Sequence, residues 1–428
     1  MDNKSKRLII IGLDGVPFPM VKDFAGTGVM PNTARIIQGG FFSPMRSSIP
    51  EISSVAWSSI ITGKNPAEHG IFGFVDLHPK SYQMRFPNFS DLKAQPFWNC
   101  CSGKSAIINV PSTYPVRDMN GVHISGFVSI DINKSVHPAS LIPELKNLGY
   151  RLDVDSQKAH KDLDLFLEDL EETLSARIKT IKYLWDYDEW QIFMPTFTGT
   201  DRLMHFLFDA YEDKAHKYHN DFLNHFRRID GVIGDMYSKL TENDVLIMLS
   251  DHGFEKLEKD VYVNYLLSKE GFLAFKPHSE PQLTNIDSAT RAFALDPARI
   301  YINQKGKYPA GSVEASDKDK YLSQLESLFQ SLEIDGKKVI REIYRKEDIY
   351  AGLYLQDAPD LVLIAEQGFN LKGAMNCKAL ANKGVFSGKH NYHEAFLLIN
   401  DSSFAGQIAN NASVIDAGKL IHKLVKGQ

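Results

Sequence analysis

The sequence predicts an α/β protein built on a mainly parallel central sheet, and three observations predict it. Short apolar runs bounded by Gly, Pro or Asn recur along the chain, as strands buried on both faces require. Helical stretches separate them, the alternation of a doubly wound sheet. Acids and histidines directly follow several of these runs, at the strand edge where open parallel sheets gather ligands.

Taken in order, the run from Leu8 to Leu13 leads into Asp14-Gly15 with no small-residue cleavage site, so it reads as a first strand rather than a signal peptide. Residues 53–63 form a short helix opened by Ser53 and Ser54 and closed at Gly63. Runs at 105–110, 122–126, 191–197 and 245–249 are further strands, and 361–365 and 395–399 continue the pattern. Residues 163–185 alternate charged and apolar faces, and from 219 to 240 Phe222, Phe226, Ile229, Ile233 and Met236 fall at three- and four-residue steps. Both stretches are amphipathic helices. From 261 to 350 the chain turns polar and irregular, with Pro277, Pro281, Pro297 and a turn at 307–311. We read 1–260 with 351–428 as the catalytic core, and 261–350 as an inserted cap near the active site.

Composition narrows the function. The chain has 428 residues, 43% hydrophobic and 24% charged, without the roughly 20 consecutive apolar residues that span a bilayer. The net charge of −5 comes without a basic cluster, which argues against a nucleic-acid polymer as partner. Three cysteines, with Cys100 and Cys101 adjacent, leave no disulfide framework and suit a reducing cytoplasm. Composition leaves the oligomeric state open.

The chemistry lies at the strand ends. Asp14 follows the first strand, Asp201 follows 191–197, and Asp251-His252 follow 245–249. His205, four residues after Asp201, shares its face if a helix starts there. His390 lies just before the run at 395–399. Each acid alone reads more readily as a helix cap, and a lone helix histidine as surface or core. Together they form an oxygen and nitrogen set suited to zinc or manganese. Six ligands exceed the needs of one ion, whereas two ions about 3.5–4 Å apart would use them all. Ser53, at a helix start that favours anions, is the candidate nucleophile; the alternative is that Ser53 or Ser54 merely caps the helix.

Several blocks carry a resemblance: Gly12-Leu-Asp-Gly15; Ser53 with Val55-Ala-Trp57 and Thr62-Gly63; Asn65-Pro66 with His69-Gly-Ile-Phe72; Asn109-Val-Pro-Ser-Thr-Tyr-Pro115; Ser125-Gly-Phe127; Gly199-Thr-Asp201-Arg-Leu-Met-His205; Ser250-Asp-His-Gly-Phe254; and Gly388-Lys-His390. In this order the chain resembles the type I phosphodiesterase/nucleotide pyrophosphatase family of the alkaline phosphatase superfamily. The resemblance implies an alkaline-phosphatase-like αβα sandwich and two divalent metal ions, zinc or alternatively manganese. It assigns Asp201, His205 and His390 to one ion, and Asp14, Asp251 and His252 to the other with the Ser53 oxygen beside it. It further implies attack by Ser53 on a small phosphorylated substrate, then hydrolysis of the enzyme-bound ester with retention.

The chain departs from the family pattern in places. Ser53 stands where nucleotide pyrophosphatases commonly have threonine, and 54–57 lack their phosphate-contacting Asn, so a nucleotide preference is not implied. Lys389-His-Asn-Tyr392 replaces a Thr-His-Arg-Pro-like segment, with Lys389 expected to be solvated and contact with the substrate as the alternative. His69 is expected to set a turn, His393 to bind nothing, and Trp57 to pack in the core rather than stack a base. A Cys/Ser-x-Pro-x-Arg context is missing at Ser53, which excludes a sulfatase. The competing readings are a phosphomonoesterase, a phosphotransferase, and a metal-binding module without catalysis.

Overall fold

The computed structural model describes residues 7–409 and 411–427 and divides them into two compact units. The larger comprises residues up to 64, 88–255 and 385 onward; the smaller comprises 65–87 and 256–384. Lys4 and Lys6, which precede the expected first strand, lie outside the described residues.

The larger unit is organised by an eight-stranded sheet. Its strands are β1 (Leu8–Leu13), β2 (Phe41–Met45), β3 (Lys104–Val110), β4 (Gly121–Ser125), β5 (Val136–His137), β6 (Trp190–Phe197), β7 (Val245–Leu249) and, after the short ribbon strands β8 (Gly253–Lys256) and β9 (Gly388–Asn391), β10 (Ala395–Ile399). They lie in the order β2-β10-β7-β1-β6-β3-β4-β5. The five from β7 to β4 are parallel to one another. β10 and β2 at one edge and β5 at the other run antiparallel. Every residue of β1, β7 and β10 is buried, which explains why they read as unbroken apolar runs.

The helices of this unit include α1 (Phe18–Thr27), α2 (Pro31–Gly39), α3 (Ser53–Thr62), α4 (Leu163–Trp185), α5 (Gly199–Glu212), α6 (His219–Tyr237) and α7 (Val414–Val425). Side chains alternate across a strand. Accordingly Ile9, Ile11 and Leu13 join one core with α1, α2, α4 and α6, whereas Gly12 faces Trp57 of α3, whose ring leaves no room for a Cβ. Phe222, Phe226, Ile229, Ile233 and Met236 are all buried, the apolar stripe of α6 seen in the sequence. Gly63 ends α3 at φ 63°, where its lack of a Cβ avoids left-handed strain and admits the α7 backbone.

The smaller unit contains the 261–350 segment together with flanking chain. Its polar, proline-punctuated sequence folds as an ordered four-stranded antiparallel sheet of Ala292–Leu295, Arg299–Ile302, Leu361–Ala365 and Ile340–Arg345. Helix Lys318–Gln330 adds Leu325 and Phe329 to its core. Leu361–Ala365 is a strand as expected but belongs to this sheet, not the central one, because an apolar run of five does not encode its partner. Among the described residues no helix is long and apolar enough to cross a membrane.

Candidate metal centre

Three adjacent strands deliver the site. Asp14 leaves β1, Asp251 and His252 leave β7, and Asp201 lies in the first turn of α5 beyond β6. Since β1 sits between β6 and β7, their carboxyl ends open on one place. Asp14 N donates to Phe197 O at 3.1 Å, and Thr200 Oγ1 donates to Asp14 O at 2.6 Å, tying the β1 and β6 loops together. Gly15 turns the chain at φ 73°; there a Cβ would stand 3.1 Å from His252 Cε1, so this turn demands glycine. Its amide donates to Asp251 Oδ1 at 3.0 Å.

All seven predicted residues come together. Ser53 Oγ lies 3.1 Å from His252 Nε2 and 3.4 Å from Asp14 Oδ1. The N-cap of α3 is Ile52, without a side-chain cap bond, so Ser53 occupies the first helical position with its hydroxyl turned to the cluster. Asp201 Oδ1 is 3.1 Å from His390 Nε2 and 3.5 Å from His205 Nε2. Two groupings have ligand atoms within 4.8 Å of one another: Asp14, Asp251 and His252, and Asp201, His252 and His390. His252 is thus shared between halves that the resemblance separates, with His205 beside the second.

The donor set fits divalent cations on an observation internal to the fold. In each histidine Nδ1–H donates to a backbone carbonyl: His252 to Gly253 at 3.0 Å, His390 to Glu51 at 2.9 Å and His205 to Gly388 at 3.3 Å. That pins each tautomer and leaves Nε2 as the ligating atom. The Nε2 atoms of His205 and His390 stand 3.1 Å apart, so two lone pairs face each other unless a positive centre lies between them. Asp251 Oδ2, fully buried, has no hydrogen-bond partner, consistent with a ligand position.

Charge is uneven across the cluster. Burial, reinforced by Asp251 and Asp201, holds the Asp14 carboxyl well above the usual range. Burial likewise pushes Asp251 up to about 7 and His252 down to about 4, with His390 adding to the latter. Burial also opposes ionisation of Asp201, yet His205, His390 and Arg202 together hold it below the usual carboxylate range. Arg202, whose role was not read from the sequence, contacts Asp201 at 3.1 Å and Asp153 at 3.0 Å and lies over the Phe127 ring.

One expectation fails. Lys389 is not solvated; it is 6% exposed and pairs with Glu255 at 3.1 Å. Residues alternate along β9, so Lys389 and Asn391 meet Glu255 of β8 on the face opposite His390. His69 is buried, held neutral with its pKa pushed to about 3 by burial, and accepts from Ile71 N, as a turn-setting residue does. Trp57 is fully buried, and His393 falls outside both groupings. The carbonyls of Glu51, Gly253 and Gly388 escaped the sequence reading because backbone groups carry no residue signature.

The sequence profile of the family described as type I phosphodiesterase / nucleotide pyrophosphatase matches residues 8–393. A search of curated proteins finds no match. Among solved structures, phosphonoacetate hydrolase from Sinorhizobium meliloti, in complex with phosphonoformate, is similar with TM-score 0.65 at 16% identity, covering 98% of this chain and 96% of that one. Murine ectonucleotide pyrophosphatase / phosphodiesterase 5, in an inactive form in complex with AMP, is similar with TM-score 0.55 at 13% identity, covering 98% and 95%.

Proposed function

The chain belongs to the type I phosphodiesterase/nucleotide pyrophosphatase family, an alkaline-phosphatase-like group of phosphoester hydrolases, and from that premise we propose a two-cation phosphodiesterase acting through Ser53 on a small phosphorylated metabolite. The observation that carries this reading is the place of Ser53 Oγ, within 3.4 Å of both Asp14 and His252. A helix cap has no reason to sit among six ionisable groups.

In this reading Asp14, Asp251 and His252 hold one divalent cation, and Asp201, His205 and His390 the other; zinc suits the mixed imidazole and carboxylate set, with manganese the alternative. Bound there, such ions supply Lewis-acid stabilisation of phosphoryl oxygens and lower the pKa of hydroxyl and water. Ser53 Oγ attacks phosphorus as its proton passes to solvent, the bond to the leaving alcohol breaks and that oxygen takes up a proton, and water on the vacated side then cleaves the ester on Ser53, releasing the phosphate and restoring the serine hydroxyl. Two in-line displacements retain configuration at phosphorus. The α3 N-terminus favours the anionic substrate, and the carbonyls that fix the three imidazoles keep the ligands oriented. The three cysteines are free thiols, which supports a cytoplasmic setting.

Turnover of bis-(p-nitrophenyl) phosphate against p-nitrophenyl phosphate by the zinc- or manganese-loaded chain tests the reading. Faster diester cleavage is expected. Faster monoester cleavage would make it a phosphomonoesterase, and transfer of the phosphoryl group to an added alcohol a phosphotransferase. Phosphonoacetate belongs in the same assay, because one structurally similar enzyme hydrolyses it. No turnover of any substrate by the loaded chain would favour a non-catalytic binding module.

A further inference from the structure

Away from the cluster, the larger unit has a partly open cavity of about 20 Å³ between α4, α6 and the start of α5. Leu170, Thr173 and Arg177 line it from one face of α4, His225 from α6, and Thr198 and Gly199 from the chain entering α5. Its volume accommodates one water-sized or halide-sized occupant.

Three of these side chains are buried and incompletely partnered. Thr173 Oγ1, Arg177 Nε and Nη1, and His225 Nε2 have no hydrogen-bond partner, although the residues are 6%, 3% and 1% exposed. Buried polar atoms are rarely left so, and several around one cavity point to an occupant. His225 Nε2 is directed at it, lying 3.3 Å from where a Cβ on Gly199 would stand. The other ring nitrogen donates to Glu171 at 2.7 Å.

The charge pattern specifies the occupant. Neighbouring cations have carboxylates: Arg202 has Asp153 and Asp201, Arg151 and Lys158 share Asp169, and Arg228 has Glu171. Among the described residues Arg177 forms no ion pair. Its Nη2 donates only to the carbonyls of Arg151 and Leu152, at 3.2 and 3.4 Å, and its plane lies over Tyr150. Burial pulls its pKa down, with Tyr150 and Asp153 opposing. Nε and Nη1 together present unused N–H donors, the Thr173 hydroxyl adds another, and the positive end of the fourteen-residue α5 lies at the same place. Donors outnumber acceptors, which favours an anion over water, since water cannot compensate a buried guanidinium.

We propose that this cavity binds one small monovalent anion of halide size, held by Arg177 and Thr173 behind the first turn of the helix that carries Asp201. The anion compensates Arg177 and anchors the α5 N-terminus; it takes no part in phosphoester chemistry.

The test is thermal unfolding of the full chain in sodium bromide or chloride against sodium gluconate at matched ionic strength, with anomalous diffraction from bromide-soaked crystals. A halide-dependent rise in Tm of roughly 2 °C or more is expected, lost in Arg177→Met and reduced in Thr173→Val, together with a bromide peak in the cavity. Should Arg177→Met not fold, Thr173→Val and the bromide peak decide. Equal melting in the two salts, a halide effect that survives in the folded variants, or a cavity without a bromide peak overturns the proposal. None of these readouts requires activity, so they remain informative if the function proposed above fails.

Discussion

The two halves of the cluster at the ends of β1, β6 and β7 use similar side chains in opposite electrostatic settings. Asp14, Asp251 and His252 form an inner half almost closed to solvent. There burial, with repulsion from neighbouring carboxylates, holds Asp14 well above the usual carboxylate range and Asp251 at about 7. Asp201, His205 and His390 form an outer half, in which the His205 and His390 side chains are 21% and 16% exposed and Asp201, with Arg202 at 3.1 Å, lies below the usual carboxylate range. Similar ligands therefore need not make equivalent sites. A bound cation is therefore expected to shift the acids of the inner half further than Asp201 of the outer half.

The largest effect is expected at Ser53, which touches the inner half. Ser53→Ala should lower kcat by roughly 10³-fold or more with metal content unchanged by elemental analysis; full activity would remove Ser53 from the mechanism. Next come the ligands themselves. Asp251→Asn should cost a full equivalent of bound cation, and His205→Ala should weaken binding at the outer half alone, each by more than the roughly 10–100-fold typical of residues that merely support a ligand. Chelator competition measures both, and equal loss from both halves would dissolve the distinction between them.

Arg202→Met tests why the outer half is ionised. Removing one partner of a buried ion pair costs about 3 kcal/mol or more, and here Asp153 and Asp201 would both be left without it. Urea unfolding of the metal-free protein should show that loss. Restoration by added zinc would show that a cation can replace the guanidinium at Asp201.

The smallest effect separates the site from its scaffold. His123, buried against Phe89 and Trp98, is driven by burial down to about 3, as His69 is. Between about pH 6.5 and 3 the unfolded chain binds a proton at each of these residues and the folded chain does not, so stability falls as pH falls, by up to about 1.4 kcal/mol per pH unit for each. His123→Phe should therefore narrow the Tm difference between pH 7 and pH 5 in the presence of chelator. An unchanged gap would place acid sensitivity elsewhere.

Much of this was legible in the residue order, because period and position carry physical meaning. The stretch read as a helix from 163 to 185 is Leu163–Trp185, and the runs at 8–13 and 245–249 are β1 and β7. Asp14, Asp201 and Asp251 each follow a strand as read. Lys389 shows the limit: a lysine beside a ligand looks solvent-facing until strand pairing sets it against Glu255. The segment from 261 to 350 looked irregular because its strands are short and pair with chain as distant as Leu361–Ala365.

Local sequence alone thus determined the apolar runs, the helix faces and the kinds of side chain that gather at the strand ends, since each depends on neighbours a few positions away. Tertiary structure decided the rest: which sheet Leu361–Ala365 joins, that His252 lies between both halves, that carbonyls of Glu51, Gly253 and Gly388 fix the imidazoles, and that Arg177 is buried without an ion pair. These depend on contacts between distant segments and on burial, which sets both the charge of Asp251 and the partners a polar atom can reach.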